Sequence, residues 1–419
     1  MKKIKNNIRN FFNGYGKKKI IENFISLSLI RVADFILPLI ILPYLIVVLG
    51  VEKFGLTAFA ASLVNYFLNI TQYGFSLSAV RDLSKNQDNQ EKIIEIYNEV
   101  LSTKLFLLLL TGIVYYALVL IIPTFSEYYL LYIFSFGLAI GDVLFPKWFF
   151  QGIEEMRFIT LINILFKLSF VILVFIFIKE EEDYFYVPLL QSIGVILGGF
   201  YSLYLIKVKY SVKFRFVPFS TVQKQLNTSF SSFVTLIVPT LYSNTSIFLL
   251  GVFTNNTLVG YFSGALRITN AFSSLNTILT RTFYPFVNKG KVEKATIKVN
   301  NIILICGLLV SVMMFLSANY AVLYVLGKEM LPSIPLVLIL SLSPILLSIR
   351  TVYGINSLLV KGLDVLYMRI ALFSSIIGLI LSFILIPKYH DKGAALVLIT
   401  SQFIYAILSL IFAKKKKIG

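Results

Sequence analysis

The chain has 419 residues, of which 58% are hydrophobic and 14% charged. Soluble domains carry about 25% charged residues, so this sequence has too little polar surface to cover a water-soluble globule. Its formal net charge of +18 would favour nucleic acid in a soluble protein, but here most basic residues lie between apolar runs. The composition therefore predicts a membrane protein and no nucleic-acid partner.

Residue types that commonly carry chemistry are scarce. The single cysteine, Cys306, has no partner for an internal disulfide or a cysteine metal site. The single histidine, His390, lies beside a lysine and an aspartate in a short polar stretch that reads as a solvated turn. The sequence shows no nucleotide-binding loop and no nucleophile constellation. We therefore expect no cofactor, no metal site and no enzymatic activity.

Apolar runs of about 20 residues are long enough to cross a bilayer, and in lipid they must be helices. The first run begins near Phe24 and is too long for the apolar part of a signal peptide. Twelve spans are predicted, which makes the chain an all-α membrane protein. In chain order their approximate bounds are 24–49, 56–80, 100–123, 128–150, 158–178, 185–206, 228–254, 257–287, 299–326, 334–358, 367–387 and 393–413.

The basic residues between the spans predict the orientation in the membrane. If the N-terminus is cytoplasmic, 26 lysines and arginines fall on the cytoplasmic side and 5 on the other. Cytoplasmic loops carry the excess of basic residues, so both termini are predicted to be cytoplasmic. The longest connection, 207–227, is basic and central, and we predict that it links a six-helix lobe of residues 1–206 to one of residues 228–419.

A weak internal repeat in the sequence supports two related halves. "VVLGVEKFGLTAFAASL" and "FLLGVFTNNTLVGYFSGAL" each contain Leu-Gly, a short turn and a helix start rich in small residues. Gly50 then corresponds to Gly251, and Gly55 to Gly260. Six spans per half insert both halves the same way up, which predicts parallel repeats about an axis along the membrane normal. The alternative is that glycine and alanine simply recur in membrane helices.

Charged side chains within spans are costly, at least about 2.5–3.5 kcal/mol at the centre, and therefore mark candidate sites. Counting along the helices places Lys167 in span 5 and Arg267 in span 8 near mid-membrane. Arg31 in span 1 and Arg350 in span 10 lie shallower. We predict that these four cations bind the phosphates of an anionic substrate.

Two intramembrane carboxylates, Asp34 and Asp142, could couple transport to an ion. Arg31 and Asp34 lie three residues apart on one helical face and could instead neutralise each other. Lys167 could likewise pair with Asp142 on the neighbouring helix. Three further cations are expected to reach the inner interface with their long side chains; they are Lys104, Lys147 and Arg281.

Prolines interrupt the first span of each predicted half, with Pro38 and Pro43 in span 1 and Pro239 in span 7. Each removes an intrahelical hydrogen bond, which makes these positions predicted hinges for alternating access. Polar side chains on spans 1, 2, 7 and 8 could bind sugars, although interhelical hydrogen bonds are their commoner use. They include Asn65, Asn69, Gln72, Asn244, Thr269, Asn270 and Asn276.

Four motifs carry a resemblance to a known family. They are "LGVEKFG" at 49–55, "YGFSLSAVRDLS" at 73–84, "PKWFFQGIEEMRFIT" at 146–160 and "NNTLVGYFSGALRI" at 255–268. Their sequence, order and topology resemble the bacterial polysaccharide flippases of the Wzx family, which share a superfamily with multidrug and toxin extruders and the lipid II flippase. The resemblance implies twelve helices in two six-helix lobes around a central cavity.

The same resemblance implies the cargo and the place of action. The cargo would be an undecaprenyl-pyrophosphate-linked oligosaccharide, moved from the inner to the outer leaflet of the bacterial plasma membrane. Membrane lipids and other polysaccharide-assembly proteins would be the partners.

Three further classes of function are open on the sequence. An ion-coupled multidrug exporter of the same fold should present acidic groups to cationic cargo, whereas deep basic residues outnumber deep acidic ones here. A membrane glycan polymerase or ligase should have a sizeable outer loop with catalytic residues, and the outer loops here are short. A sugar uptake carrier would not require the set of intramembrane cations.

Overall fold

The computed structural model describes the backbone of residues 15–237, 240–288 and 293–415. Side chains are described for residues 37, 39–234, 236–237, 240, 244–275 and 297–415. The regular elements in this part of the chain are all helices, and it contains no strand, which confirms the all-α prediction.

The helices follow one another with short connections. Up to residue 237 they are α1 (Tyr15–Gln72), α2 (Phe75–Lys85), α3 (Gln90–Ile121), α4 (Pro123–Ser126), α5 (Tyr129–Leu144), α6 (Lys147–Gly152), α7 (Met156–Phe177), a 3₁₀ turn (Glu181–Phe185), α8 (Tyr186–Lys209) and α9 (Phe219–Ile237). From residue 240 they are α10 (Thr240–Phe253), α11 (Asn256–Asn288), α12 (Glu293–Ala321), a π turn (Val322–Leu326), a 3₁₀ turn (Lys328–Ser333), α13 (Ile334–Leu340), α14 (Ser343–Ile349), a π-helix (Arg350–Leu359) and α15 (Asp364–Lys415).

Two long helices are each divided into two segments by one residue of non-helical backbone. Helix α1 breaks at Gly50 (φ 70°, ψ 166°) and α15 at His390 (φ 52°, ψ −125°). Among the described residues, eight stretches are long and apolar enough to cross a membrane, and the two that contain these breaks span 47 and 52 residues. Each of those two accommodates a pair of crossings. The other two predicted segments are 228–254, which corresponds to α9 and α10, and 257–287, which corresponds to α11.

Span 10 departs from the single helix predicted over residues 334–358. It consists of α13, α14 and the π-helix, with a turn around Ser341. Pro344 lies in the first turn of α14. A backbone N–H at this position has no intrahelical partner, so proline, which lacks one, loses no helical hydrogen bond there. The proline therefore begins a helix here and does not kink the interior of one.

The chain divides into two compact units. Unit 1 contains residues up to Leu37, Tyr66–Phe177 and Tyr186–Val234. Unit 2 contains Pro38–Asn65, Ile178–Phe185 and the chain from Thr235 onward. The break at Gly50 thus belongs to the same unit as the C-terminal helices. The lobes of residues 1–206 and 228–419 stay a prediction based on the sequence repeat.

The motif at 146–160 forms part of the apolar core of unit 1. Trp148, Phe149 and Phe150 on α6 are all buried. The ring of Tyr97 on α3 packs edge-on against Phe149, with 5.5 Å between the ring centroids. Aromatic pairs in this geometry add about 0.5–1.5 kcal/mol beyond the area they bury. This motif therefore stabilises the connection between α5 and α7.

The two repeated segments contact each other within unit 2. A Cβ atom built on Gly55 would collide with the carbonyl oxygen of Asn256, and one built on Gly260 would collide with that of Val51. Val51 lies four residues before Gly55, and Asn256 lies four residues before Gly260. The same contact is therefore made twice with the roles exchanged, as a two-fold relation requires. This reciprocity supports the predicted correspondence between the halves.

Large apolar side chains remain exposed along several helices. Leu109, Ile113 and Leu120 on α3 and Leu316 on α12 each keep about 70% of their surface accessible. Apolar surface of this extent is unusual on a soluble monomer and suits contact with acyl chains. The chain is a multi-pass membrane protein.

Candidate substrate and ion-binding sites

Several predicted site residues cannot be placed. Pro239 lies outside the described residues. The same holds for the side chains of Arg31, Asp34 and Pro38, although their backbone belongs to α1. Pro43 is described and also lies within α1, on the same side of the Gly50 break.

Asp142, near the end of α5, is held by a group of polar side chains in unit 1. Its Oδ2 accepts a hydrogen bond from the Lys104 ammonium at 3.2 Å, and its Oδ1 accepts one from Gln72 Nε2 at 3.4 Å. Lys104 Nζ also donates to the backbone carbonyl of Asp142 at 3.2 Å. Lys147 Nζ lies 3.9 Å from Oδ1. The carboxylate is thus neutralised and hydrogen-bonded within one unit.

The two lysines that flank this carboxylate differ in their exposure. The side chain of Lys104 is 4% exposed and that of Lys147 is 40% exposed. The expectation that Lys104 extends to the inner interface is therefore wrong. Helix α3 begins at Gln90, well before the predicted span, and its first turns are covered by protein, with Ile93, Ile96 and Tyr97 buried. Lys104 consequently meets a carboxylate instead of water.

Lys167 lies in the middle of α7, in unit 1, and its side chain is half-buried. Leu165 and Leu168 beside it are exposed. The depth that the sequence predicts for Lys167 agrees with its central position on the helix. Its role in binding substrate stays a prediction.

Arg267 lies on α11 in unit 2 and is exposed. The central carbon of its guanidinium lies 6.0 Å from the ring centroid of Phe54, a residue that is itself buried. Among the residues that the structure describes, Arg267 has no ion pair. A contact with an aromatic ring supplies no counter-charge to the guanidinium.

Polar groups of unit 2 link two of the helices predicted to carry sugar-binding residues. Asn244 Nδ2 on α10 donates to the carbonyl oxygen of Ser62 at 2.9 Å, and Asn65 Nδ2 donates to Asn244 Oδ1 at 3.5 Å. These amides therefore serve at least partly as interhelical contacts, the commoner of the two uses considered. Asn270, one turn from Arg267 on α11, is exposed.

Arg350 opens the π-helix of unit 2 and is half-buried. Its guanidinium carbon lies 5.2 Å from the ring centroid of Tyr405 on α15. Its surroundings are thus more enclosed than those of Arg267, although both are arginines on an aromatic ring.

The sequence did not identify three neighbours of the candidate sites. Lys104 and Gln72 complete the surroundings of Asp142, and Phe54 supports Arg267. Each lies on a different helix from the residue it contacts. A polar residue at a helical position shows its depth, but it does not show which neighbouring helix it faces.

Solved structures with a similar fold are membrane transporters. An inward-facing conformation of a multidrug resistance MATE family transporter of the MOP superfamily has a TM-score of 0.69 at 16% identity, covering 94% of this chain and 98% of that one. The lipid II flippase MurJ, in an inward closed conformation, has a TM-score of 0.64 at 17% identity, covering 94% of this chain and 87% of that one. This chain has the fold of these transporters, which confirms the predicted fold class.

The fold and the helices long enough to cross a bilayer define a multi-pass membrane protein. A family model described as "Polysaccharide biosynthesis protein" matches residues 20–291. The chain belongs to this family, which confirms the resemblance predicted from the four motifs. Two curated relatives, both provisionally named as O-antigen transporters, are 28% identical to it. The one from Escherichia coli (strain K12) aligns over 96% of this chain and 98% of its own length, and the one from Shigella dysenteriae over 93% and 98%.

Proposed function

We propose that this protein flips undecaprenyl-pyrophosphate-linked oligosaccharides from the inner to the outer leaflet of the bacterial plasma membrane, with both termini in the cytoplasm. Membership of the polysaccharide biosynthesis family and the names of its relatives support this class of cargo. Proteins that build and use the lipid-linked glycan are the expected partners, together with the surrounding lipids.

The observation that carries the proposal is the state of Arg267. It is an exposed cation on a helix that the sequence predicts to cross the membrane, and it has no ion pair among the described residues. A charge without a counterion is expensive in lipid, so its presence favours a function that needs it. A pyrophosphate supplies the matching charge, and a guanidinium binds its oxygens through two parallel hydrogen bonds.

We assign the other three predicted cations to the same path for the head group. Lys167 would act as a point charge, and Arg350 and Arg31 would receive the phosphates nearer the membrane surface. The polyprenyl tail would stay in the lipid while the hydrated glycan moves along the cations by alternating access.

We propose Pro38, Pro43 and Pro239 as the bending points of this cycle. One boundary between the two compact units falls between Leu37 and Pro38. A helix bends more readily at proline, because one hydrogen bond of its ladder is already missing.

The membrane potential can drive the proposed step. Moving an anion outward across an inside-negative membrane is favoured by about 2.3 kcal/mol per charge per 100 mV, so two phosphate charges contribute roughly 4–5 kcal/mol. Ion coupling through Asp34 or Asp142 would add to this. For Asp142, coupling requires that its contacts with Lys104 and Lys147 change during the cycle.

An ion-coupled multidrug exporter is the second candidate, since the MATE structures share the fold. Such an exporter would have to accommodate cationic drugs near Arg267. Drug resistance in cells that express this protein, without any dependence on its glycan substrate, would favour this candidate over the flippase.

Replacing Arg267 by alanine is expected to lower export about 10–100-fold, because a hydrogen bond to a charged group contributes about 1.5–3 kcal/mol. Surface glycan is measured in a bacterial strain that lacks its own flippase, at matched amounts of membrane protein. Arg267→Lys should retain part of the export, since it keeps the charge but loses the paired donors.

Arg369→Ala serves as the matched control. Arg369 is also an exposed arginine of unit 2, but it lies in the second turn of α15, near the N-terminal end of that helix. It should export normally. Full export by an Arg267→Ala/Lys167→Ala double variant would reject the cationic path.

A further inference from the structure

Unit 1 contains a cleft that none of the proposed transport residues lines. Helices α3, α5 and α8 and the segment after α8 enclose a volume of about 550 Å³. Clefts that bind small molecules usually measure about 300–1,000 Å³. The cleft is therefore large enough for part of a lipid molecule.

The walls of the cleft are apolar. Leu101 and Leu105 on α3, Leu144 at the end of α5 and Leu203 on α8 contribute side chains, and Phe214 adds an aromatic ring. These five side chains offer no hydrogen-bond partner, so they favour a hydrocarbon chain over a sugar or a hydrated ion.

The rim of the cleft is basic. Lys207 near the end of α8 and Lys213 in the following segment both line it, and both are exposed. The hydroxyl-bearing Tyr204, one turn before Lys207, lines it too and is 59% exposed. Two ammonium groups beside an apolar cleft match a ligand that joins a hydrocarbon chain to an anionic head group.

Hydrogen bonds fix the segment that closes the cleft. The backbone N–H of Arg215 donates to Asn98 Oδ1 at 2.9 Å, and that of Val217 donates to Ser102 Oγ at 3.3 Å. Ser211 has a positive φ of 55°, an uncommon conformation for a residue other than glycine. The cleft is thus preformed, which lowers the entropic cost of binding.

Exposed apolar residues lead from the cleft to the lipid-facing surface. Leu197, Phe200 and Tyr201 lie on α8 before the cleft and are each more than 40% exposed. A chain from the surrounding bilayer can therefore enter sideways. The lysines lie at the helix end that the charge distribution predicts to be cytoplasmic, and anionic lipids are attracted to such basic groups.

We propose that this cleft binds an anionic glycerophospholipid, with one acyl chain between α3 and α8 and its phosphate on Lys207 and Lys213. The site is separate from the proposed transport path and does not depend on it. Its occupant would be a resident lipid that fills the gap between α3, α5 and α8.

The test uses the purified full-length protein and native mass spectrometry. Phosphatidylglycerol and phosphatidylcholine with identical acyl chains are the probes, and sn-glycerol 3-phosphate is the soluble competitor. Phosphatidylglycerol should bind more tightly, and Lys207→Gln/Lys213→Gln should weaken it about 30-fold, since each lysine near an anionic surface contributes roughly fivefold. Soluble glycerol phosphate should not displace the lipid.

Two further variants separate the cleft from general surface charge. Leu203→Trp, which fills the cleft and keeps both lysines, should also lose the lipid. Lys414→Gln/Lys415→Gln removes the same charge at another helix end and should bind normally. Any of four results would overturn the proposal. Phosphatidylglycerol and phosphatidylcholine could bind equally well, or the Lys414→Gln/Lys415→Gln control could lose as much affinity as Lys207→Gln/Lys213→Gln. Glycerol phosphate could displace the lipid, or undecaprenyl phosphate could bind in preference to it.

Discussion

Replacing Lys104 by methionine is expected to lower the free energy of unfolding by about 3–5 kcal/mol, because it leaves the Asp142 carboxylate buried without its main partner. The lysine side chain is 4% exposed and lies 3.2 Å from the carboxylate. Water cannot replace an ammonium at such a site. Unfolding of the purified protein in mixed micelles, with increasing SDS, measures the change.

Two comparisons distinguish loss of the ion pair from loss of packing. Lys147→Met removes a lysine that is 40% exposed and 3.9 Å from the same carboxylate, so it should change stability by less than about 1 kcal/mol. A Lys104→Met/Asp142→Asn double variant removes both charges and should recover much of the loss. A double variant as unstable as Lys104→Met alone would show that the pair is not the cause.

Replacing Gly55 by alanine is expected to destabilise the protein by about 1–3 kcal/mol or more, because the added methyl group meets backbone that cannot rotate away. The atom in its way is the carbonyl oxygen of Asn256. Gly260→Ala should have a similar effect through the carbonyl of Val51. The same unfolding measurement applies to both variants.

A Gly55→Ala/Gly260→Ala double variant tests whether the two glycine contacts belong to the same packing interface. Since both substitutions push the same two segments apart, their effects should add to less than the sum. Gly194→Ala is the control, because a Cβ there would be 3.5 Å from its nearest neighbour, in ordinary contact. It should leave stability unchanged or raise it slightly. Additive effects of Gly55→Ala and Gly260→Ala would contradict the reciprocal contact.

Much of the fold could be predicted because hydrocarbon leaves the chain few choices. An apolar run of bilayer length must be a helix, so most of the twelve predicted segments follow from hydropathy. The break near Gly50 could also be predicted, because Leu-Gly and a polar pair interrupt two long apolar runs. The break between α13 and α14 could not, since both helices are apolar and only Ser341 and Leu342 separate them.

The surroundings of the charged residues were less accessible to sequence reasoning. Position along a helix gives the depth of Lys104 but not the protein that covers it. Asp142 was considered as a partner of Lys167, and the structure places Lys104 and Lys147 beside it. Arg267 and Phe54 are far apart in sequence, and only packing brings them together. Tertiary contacts of this kind leave no periodic pattern in one sequence.

The buried pair on α3 and α5 also constrains how the protein is made. Lys104 is synthesised 38 residues before Asp142. At about 5–20 residues per second, the ribosome needs roughly 2–8 s to supply the counter-charge. Over that interval a lone ammonium on α3 would be disfavoured in lipid by about 2.5–3.5 kcal/mol. We therefore expect α3 to wait at the translocon and to enter the bilayer together with α5 as a helical hairpin.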